Sequence, residues 1–226
     1  VNFDFSQVPE QWLPDPICQH FMQALSLFVP LSEKTVIEII RHTPVHSEKL
    51  NALKAEFIKQ EGQHAALHRK ANRAILECHS ELAVVGKIYQ WFINRVKSIG
   101  SQRFLAATPV AFEHFTSAVS KDVLKNKAFW IGEESNPAVD FLFWHCLEEV
   151  EHQSVCYRVY KDKHSSSWPI VLSTLLFWMP LTLSSVLSVH FYGLIKSKHL
   201  FNPKHWLPYG RFLGRITRLA YKGVFN

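Results

Sequence analysis

The chain has 226 residues, enough for one substantial core, with 47% hydrophobic and only 19% charged residues against the roughly 25% usual in soluble domains, which excludes a disordered chain or a coiled coil. Its eight glycines form no Gly-rich phosphate loop, so a nucleotide-binding α/β fold is not expected. The net charge of +6 resides in the tail: Val1 to Ile195 carry 18 Lys+Arg against 19 Asp+Glu, whereas residues 196–226 carry seven basic residues and no acid, which argues against a nucleic-acid-binding body and for a basic C-terminus that meets anionic lipid or a partner.

The elements read as helices throughout. Asp15-Pro16 is a cap followed by a first-turn proline, and Pro30 is expected to kink or interrupt that helix before a second piece from Ser32 to His42. Ser47 caps a long helix reaching about Ser80. A further apolar stretch runs from Leu82 to Ile99 and stops at Gly100. Ser101 opens a helix to about Asn126, and Asn136-Pro137 opens another to about Tyr160. Residues 161–167 read as a polar linker. Cys18, Cys78, Cys146 and Cys156 have no C-x-x-C spacing and read as reduced thiols of a cytosolic compartment. The first residues show no basic stretch followed by an apolar one, so no secretory signal is expected.

From Pro169 to Ile195 there is no Asp, Glu, Lys or Arg. The run is longer than the roughly 20 residues that cross a bilayer, and Trp168, Tyr192, Lys161, Lys163, Lys196 and Lys198 flank it like interfacial anchors. Pro180 near its middle leaves a tilted span or a re-entrant hairpin open. The segment Arg211 to Leu219 has an amphipathic pattern that would suit the anionic cytoplasmic leaflet.

The helix after Ser47 carries the chemistry. Its inward stripe is Leu50, Leu53, Phe57, Glu61, His64, His68, Ala71, Ile75, in steps of three or four. An ordinary amphipathic helix keeps such a stripe apolar. A carboxylate and two imidazoles in its middle need compensation in a core, which metal ions supply. Glu61-x-x-His64 has the i, i+3 spacing of di-iron and di-manganese helix bundles, and the helix opened by Asn136 repeats it as Glu149-x-x-His152 on the stripe Phe141, Leu142, His145, Glu149, His152, Cys156. The same recipe asks for one acid from each of two other helices. Glu113 fits, amid Ala111, Phe112 and Phe115, and Glu33 fits with Glu38 as a competitor. The order gives two helical hairpins joined by the crossover segment Leu82 to Ile99.

The blocks Gln60-Glu61-x-x-His64-x-x-x-His68-x-x-x-Asn72 and Trp144-His145-x-x-Glu148-Glu149-x-Glu151-His152 resemble the signatures of the predicted metal-dependent hydrolase family, a branch of the ferritin-like group. Val29-Pro30-Leu31-Ser32-Glu33 and Glu113-His114-Phe115-Thr116 are similar to its other two blocks, with Ser32 where Gly is common and Gln153 where Lys is common. The resemblance covers about Leu27 to Tyr160 and extends to the apolar segment beyond. It implies an all-α, ferritin-like bundle over residues 1–162 followed by an apolar membrane-associated helix or hairpin over 169–195, and the charge count makes 196–226 a basic amphipathic tail.

The expected site holds two metal ions on Glu33, Glu61, His64, Glu113, Glu149 and His152. His68 and His145 are one turn away as candidate catalytic groups or additional ligands. Glu148 and Glu151 lie off the stripe, Asn72 is placed to orient an imidazole, and His114 falls on another face. The hard donor set suits iron, with manganese or zinc as alternatives. Two chemistries follow. One is O2-dependent oxidation of an apolar or lipid-like substrate, with an electron-donor protein. The other is hydrolysis by a water activated at the metals. A non-catalytic membrane subunit is the third reading. The expected location is the membrane, with bundle and basic tail on the cytoplasmic side, no nucleic-acid partner, and room for a homo-oligomer.

Overall fold

The computed structural model describes residues 3–8, 10–164 and 168–225. Among them there are helices and no strand. The local rules hold at the helix starts. The Asp15 side chain accepts the Ile17 N–H at the start of α1 (Pro16–His42), Ser47 accepts the Leu50 N–H at α2 (Glu48–Cys78), Ser101 accepts the Phe104 N–H at α4 (Gln102–Lys125), and Asn136 accepts two N–H groups at α6 (Pro137–Lys163). The crossover is α3 (Ala83–Ile99), and it ends at Gly100, where a Cβ would lie 2.8 Å from the Val96 carbonyl. A four-residue helix, α5 (Lys127–Trp130), follows α4. Helix α6 runs to Lys163, so the first part of the expected linker is helical, while 165–167 lie outside the described residues.

The break expected at Pro30 does not occur, and α1 is one helix. Proline lacks the N–H that the Ser26 carbonyl, four residues earlier, would receive. The Nδ2 of Asn72 on α2 donates to that carbonyl instead, at 2.6 Å. A neighbouring helix has replaced the missing bond, so the chain continues helically at little cost.

Helices α1 and α2 form one hairpin and α4 and α6 the other. They close into a bundle through α1–α4 and α2–α6 contacts. Helix α7 (Trp168–Lys196) packs along α4 and α1. It is a single helix through Pro180, so the re-entrant hairpin does not form. One stripe, including Val171, Leu175, Trp178, Val186, Val189 and Leu194, is buried against the bundle, and Trp178 Nε1 donates to Thr108 Oγ1 at 3.1 Å. The opposite face exposes Leu176, Phe177, Phe191 and Ile195. By length and composition α7 is apolar enough to cross a membrane, yet 39% of its apolar window is buried inside the protein.

The basic tail is folded as well. In α8 (Trp206–Phe225) the apolar positions Phe212, Ile216 and Leu219 are buried, and the expectation that this stripe rests on a lipid leaflet is therefore corrected: it rests on the bundle. Arg215 pairs with Asp122 of α4 at 2.6 Å and stacks 4.7 Å over the Phe129 ring. One hydrophobic core includes residues from Leu13 to Leu219.

Candidate metal centre

The bundle brings every expected acid and imidazole to its axis: Glu33 from α1, Glu61, His64 and His68 from α2, Glu113 from α4, and His145, Glu149 and His152 from α6, none more than 8% exposed. Glu38, the competitor of Glu33, instead pairs with Lys97 at the surface. Glu33, His64, His145 and Glu149 each offer one donor atom within 4.8 Å of the others, and Glu61, His64, Glu149 and His152 form a second such group. His64 Nδ1 is 3.7 Å from Glu61 Oε1 and 3.5 Å from Glu149 Oε1, and His145 Nε2 is 2.9 Å from Glu149 Oε1 and 3.7 Å from Glu33 Oε1. Donors about 2.1 Å from one ion stand roughly 3–3.5 Å apart in tetrahedral or octahedral arrangements, so these spacings fit. Glu113 falls outside both groups of four but reaches within 3.9 Å of His152 Nδ1.

The ring orientations also fit a cation. His64 Nε2 donates to Glu148 Oε2 at 2.8 Å, and His152 Nε2 donates to Gln60 Oε1 at 3.2 Å. In a neutral imidazole that leaves each Nδ1 with its lone pair turned into the acid cluster. Trp144 packs edge-on against His64 and Phe57 against His152, each at 5.0 Å, and holds the ring. His152 Nδ1 and Glu61 Oε1 stand 2.6 Å apart without hydrogen-bond alignment, closer than two donors to one cation stand, so this pair would open slightly around an ion. Both oxygens of Glu33 and of Glu61, one each of Glu113 and Glu149, and Nδ1 of His64 and His152 are buried without a hydrogen-bond partner.

The electrostatics agree. Burial, then the charges of Glu61 and Glu149, pushes Glu33 and Glu113 well above the usual carboxylate range. Burial disfavours ionised Glu149 too, but the imidazoles of His145, His152 and His64 hold it well below that range. Burial also opposes charge on His64 and His152, yet Glu149 and Glu61 outweigh it and raise them to about 9 and about 11. Four acids in one core require positive charge among them, and the donor set is hard and anionic, suited to two divalent ions. A family model described as predicted metal-dependent hydrolase matches residues 1–225. The chain belongs to the predicted metal-dependent hydrolase family. Searches of curated proteins and of solved structures returned no match.

The shifts give this family member a pH signature. With folded pKa values above the unfolded ones, His64 and His152 contribute stability that is complete below about 6.5 and is lost as pH rises through about 9 and about 11. Glu33 and Glu113, also raised, act in the same direction. Chelated protein should therefore melt progressively earlier from pH 6.5 to 9, while bound metal replaces the protons. Thermal scans of loaded and chelated protein should diverge as pH rises, and a constant gap would refute the account.

Several groups that set this centre are not on the acid-imidazole stripes. Glu148 and Gln60 orient the two imidazoles, and the Gln60-Glu61 and Glu148-Glu149 neighbours in the sequence were the available signal. Gln153, read as a surface departure, in fact bridges α4 and α6 through His114 and Ser117. Ser26 carried no signal at all. Its role follows from Pro30. Because the Ser26 carbonyl can only accept, Asn72 Nδ2 must face it, and Asn72 Oδ1 then accepts the Ser26 Oγ–H at 2.6 Å. Ser26 Oγ in turn accepts from His68 Nδ1–H at 2.8 Å, and His68 Nε2 accepts from His145 Nδ1–H at 2.8 Å. Burial lowers the pKa of both rings. His145 Nε2 is left facing Glu149 and Glu33.

Asn72→Ala should orphan the Ser26 carbonyl and cost about 2–3 kcal/mol in denaturant titrations. Adding Pro30→Ala restores a helical N–H to that carbonyl, so the double variant should recover part of the loss. Strictly additive effects would contradict this reading.

Beside the centre is an apolar cavity of about 60 Å³, walled by residues such as Met22, Leu25, Phe115 and Leu142, with His68, His145 and Glu149 among its lining. Cys146 also lines it, and burial pushes that thiol up to about 12.

Proposed function

We propose that this chain is a two-metal hydrolase of apolar, lipid-like esters that works at a membrane surface. The observation that carries the proposal is the pair of buried four-donor groups sharing His64 and Glu149. An imidazole nitrogen has one lone pair and serves one ion, whereas a carboxylate can bridge two. Glu33, His64 and His145 would then hold one ion and Glu61, Glu113 and His152 the other, with Glu149 within reach of both. When bound, such a pair lowers the pKa of a water and polarises the ester carbonyl.

The chain's own side chains support water as the attacking group. Cys146 remains a thiol at neutral pH, and the Ser26 hydroxyl is committed to Asn72, so neither is poised as a nucleophile. Glu148 and Gln60 hold the ligand rings, and the apolar cavity wall excludes water from an acyl chain. The new bond joins the water oxygen to the acyl carbon, the ester C–O bond breaks, and the water proton leaves with the alcohol.

The membrane part of the proposal is supported by the outer face of α7, where Leu176, Phe177 and Phe191 are exposed in a segment flanked by Lys196 and Lys198. The bundle would face the cytoplasm. A second reading, oxidation by O2 at two irons with a protein electron donor, is favoured by one feature, the four carboxylates of the donor set. Ester hydrolysis under strict anaerobiosis, abolished by chelation and restored by Zn or Mn, is the expected result on acyl esters of graded chain length. Iron-specific O2 uptake with oxidation of the acyl chain and no hydrolysis would replace the proposal by the second reading.

A further inference from the structure

A second concavity lies on the other side of Asn72, between α1, α2 and α3, with a volume of about 590 Å³. That is within the range of roughly 300–1,000 Å³ typical of small-molecule sites. Its floor is apolar, with Leu27, Leu31 and Leu76, while its only charged lining residues are Arg69 and Lys87. Among the described residues neither cation has a salt-bridge or hydrogen-bond partner and no acid lines the groove, while the Arg69 charge is felt by the buried Glu33 carboxyl behind it. Trp91, 59% exposed, forms part of the wall, and Val84 and Ile88 continue the apolar surface of α3 outside it.

We infer that this groove binds a single-chain amphiphile with an anionic head, its chain along Leu27, Leu31 and Leu76 and its carboxylate or phosphate at Arg69 and Lys87. The apolar floor suits a hydrocarbon chain, and the polar groups of the wall are paired elsewhere: Gln90 donates to Asn94, and Asn72 to the Ser26 carbonyl. Two unpaired cations and no acid select the sign of the head. Gly86 on α3 marks the space left for the chain: a Cβ there would meet nothing nearer than Leu31 Cδ1, at 3.9 Å. Asn72 lines the groove and hydrogen-bonds Ser26, the first member of the Ser26–His68–His145 chain, so an occupant would touch the residue from which the hydrogen bonds to His145 run. Binding can be read without any reaction, so this inference stands or falls separately from the hydrolase assignment.

The test uses the full chain and dodecanoate with a terminal bromine, held below its micelle-forming concentration, with quenching of Trp91 fluorescence as the readout. A second arm presents phosphatidylglycerol vesicles with brominated chains. Saturable quenching is expected, absent in Trp91→Phe and weakened at least about tenfold by Gly86→Phe, which fills the groove. Arg69→Gln with Lys87→Gln should also weaken binding about tenfold and flatten its salt dependence. Quenching by the monomeric probe identifies a free amphiphile as the source, and quenching by vesicles alone identifies a bilayer lipid; both support the groove if the variants respond. Should Gly86→Phe not fold, as judged by circular dichroism, the two exposed charge variants decide. No quenching in either arm, equal binding by all variants, or equal binding of an uncharged dodecyl glycoside would overturn the inference.

Discussion

Glu149→Ala is expected to abolish metal binding, because Glu149 belongs to both buried donor groups. His145→Ala and His64→Ala should each remove the ion on the Glu33 side, and His152→Ala the other. Elemental analysis should then give about two ions per chain in the wild type, about one in the histidine variants, and near zero in Glu149→Ala. Each ion at a hundredfold excess over its Kd stabilises the fold by about 2.7 kcal/mol, so the losses should appear in thermal scans as well. Glu33→Gln tests the same electrostatics with opposite sign. Burial and its acidic neighbours push the Glu33 carboxyl up, so a neutral isostere should raise the Tm of chelated protein by about 2–4 °C per kcal/mol relieved. It should lower the Tm of loaded protein. Wild-type stoichiometry in Glu149→Ala, or a lower Tm of chelated Glu33→Gln, would show that these acids do not converge on shared cations.

Truncation before Trp168 should yield an unfolded or aggregating chain rather than a soluble bundle. Helix α7 buries Val171, Leu175, Trp178, Val186, Val189 and Leu194 against α1 and α4. At about 1.5–3 kcal/mol for each buried side chain, their combined loss of about 9–18 kcal/mol is as large as the roughly 5–15 kcal/mol by which domains are usually stable. Trp178→Ala alone should cost about 3–5 kcal/mol, and it leaves Thr108 Oγ1 without its indole donor. Loss of membrane association on truncation would therefore report loss of fold. The informative variants change the outer face: Phe177→Ser and Leu176→Ser should keep native circular dichroism and metal content while reducing co-sedimentation with vesicles. A truncated chain that retains native melting and both ions would remove α7 from the core.

These two predictions separate what sequence alone determined from what required the fold. Caps at Asp15, Ser47, Ser101 and Asn136 were legible because capping is local: one side-chain oxygen satisfies an N–H two or three residues on. The acid-imidazole stripes were legible because helical period puts Glu61 and His64, or Glu149 and His152, on one face whatever surrounds them. That fixed the bundle and its residues. The continuity of α1 through Pro30 was not legible, since the replacement donor, Asn72, is 46 residues from the carbonyl it rescues. Nor was the setting of α7, because hydropathy counts apolar side chains without recording whether protein or lipid meets them. The tail was misread for the same reason: its amphipathic stripe and Arg215 found partners in the bundle, Asp122 being 93 residues away. Sequence thus determined which groups share a helix face, a matter of local geometry. Tertiary structure decided which faces meet and which way each imidazole points, because those depend on hydrogen bonds and packing between segments distant along the chain.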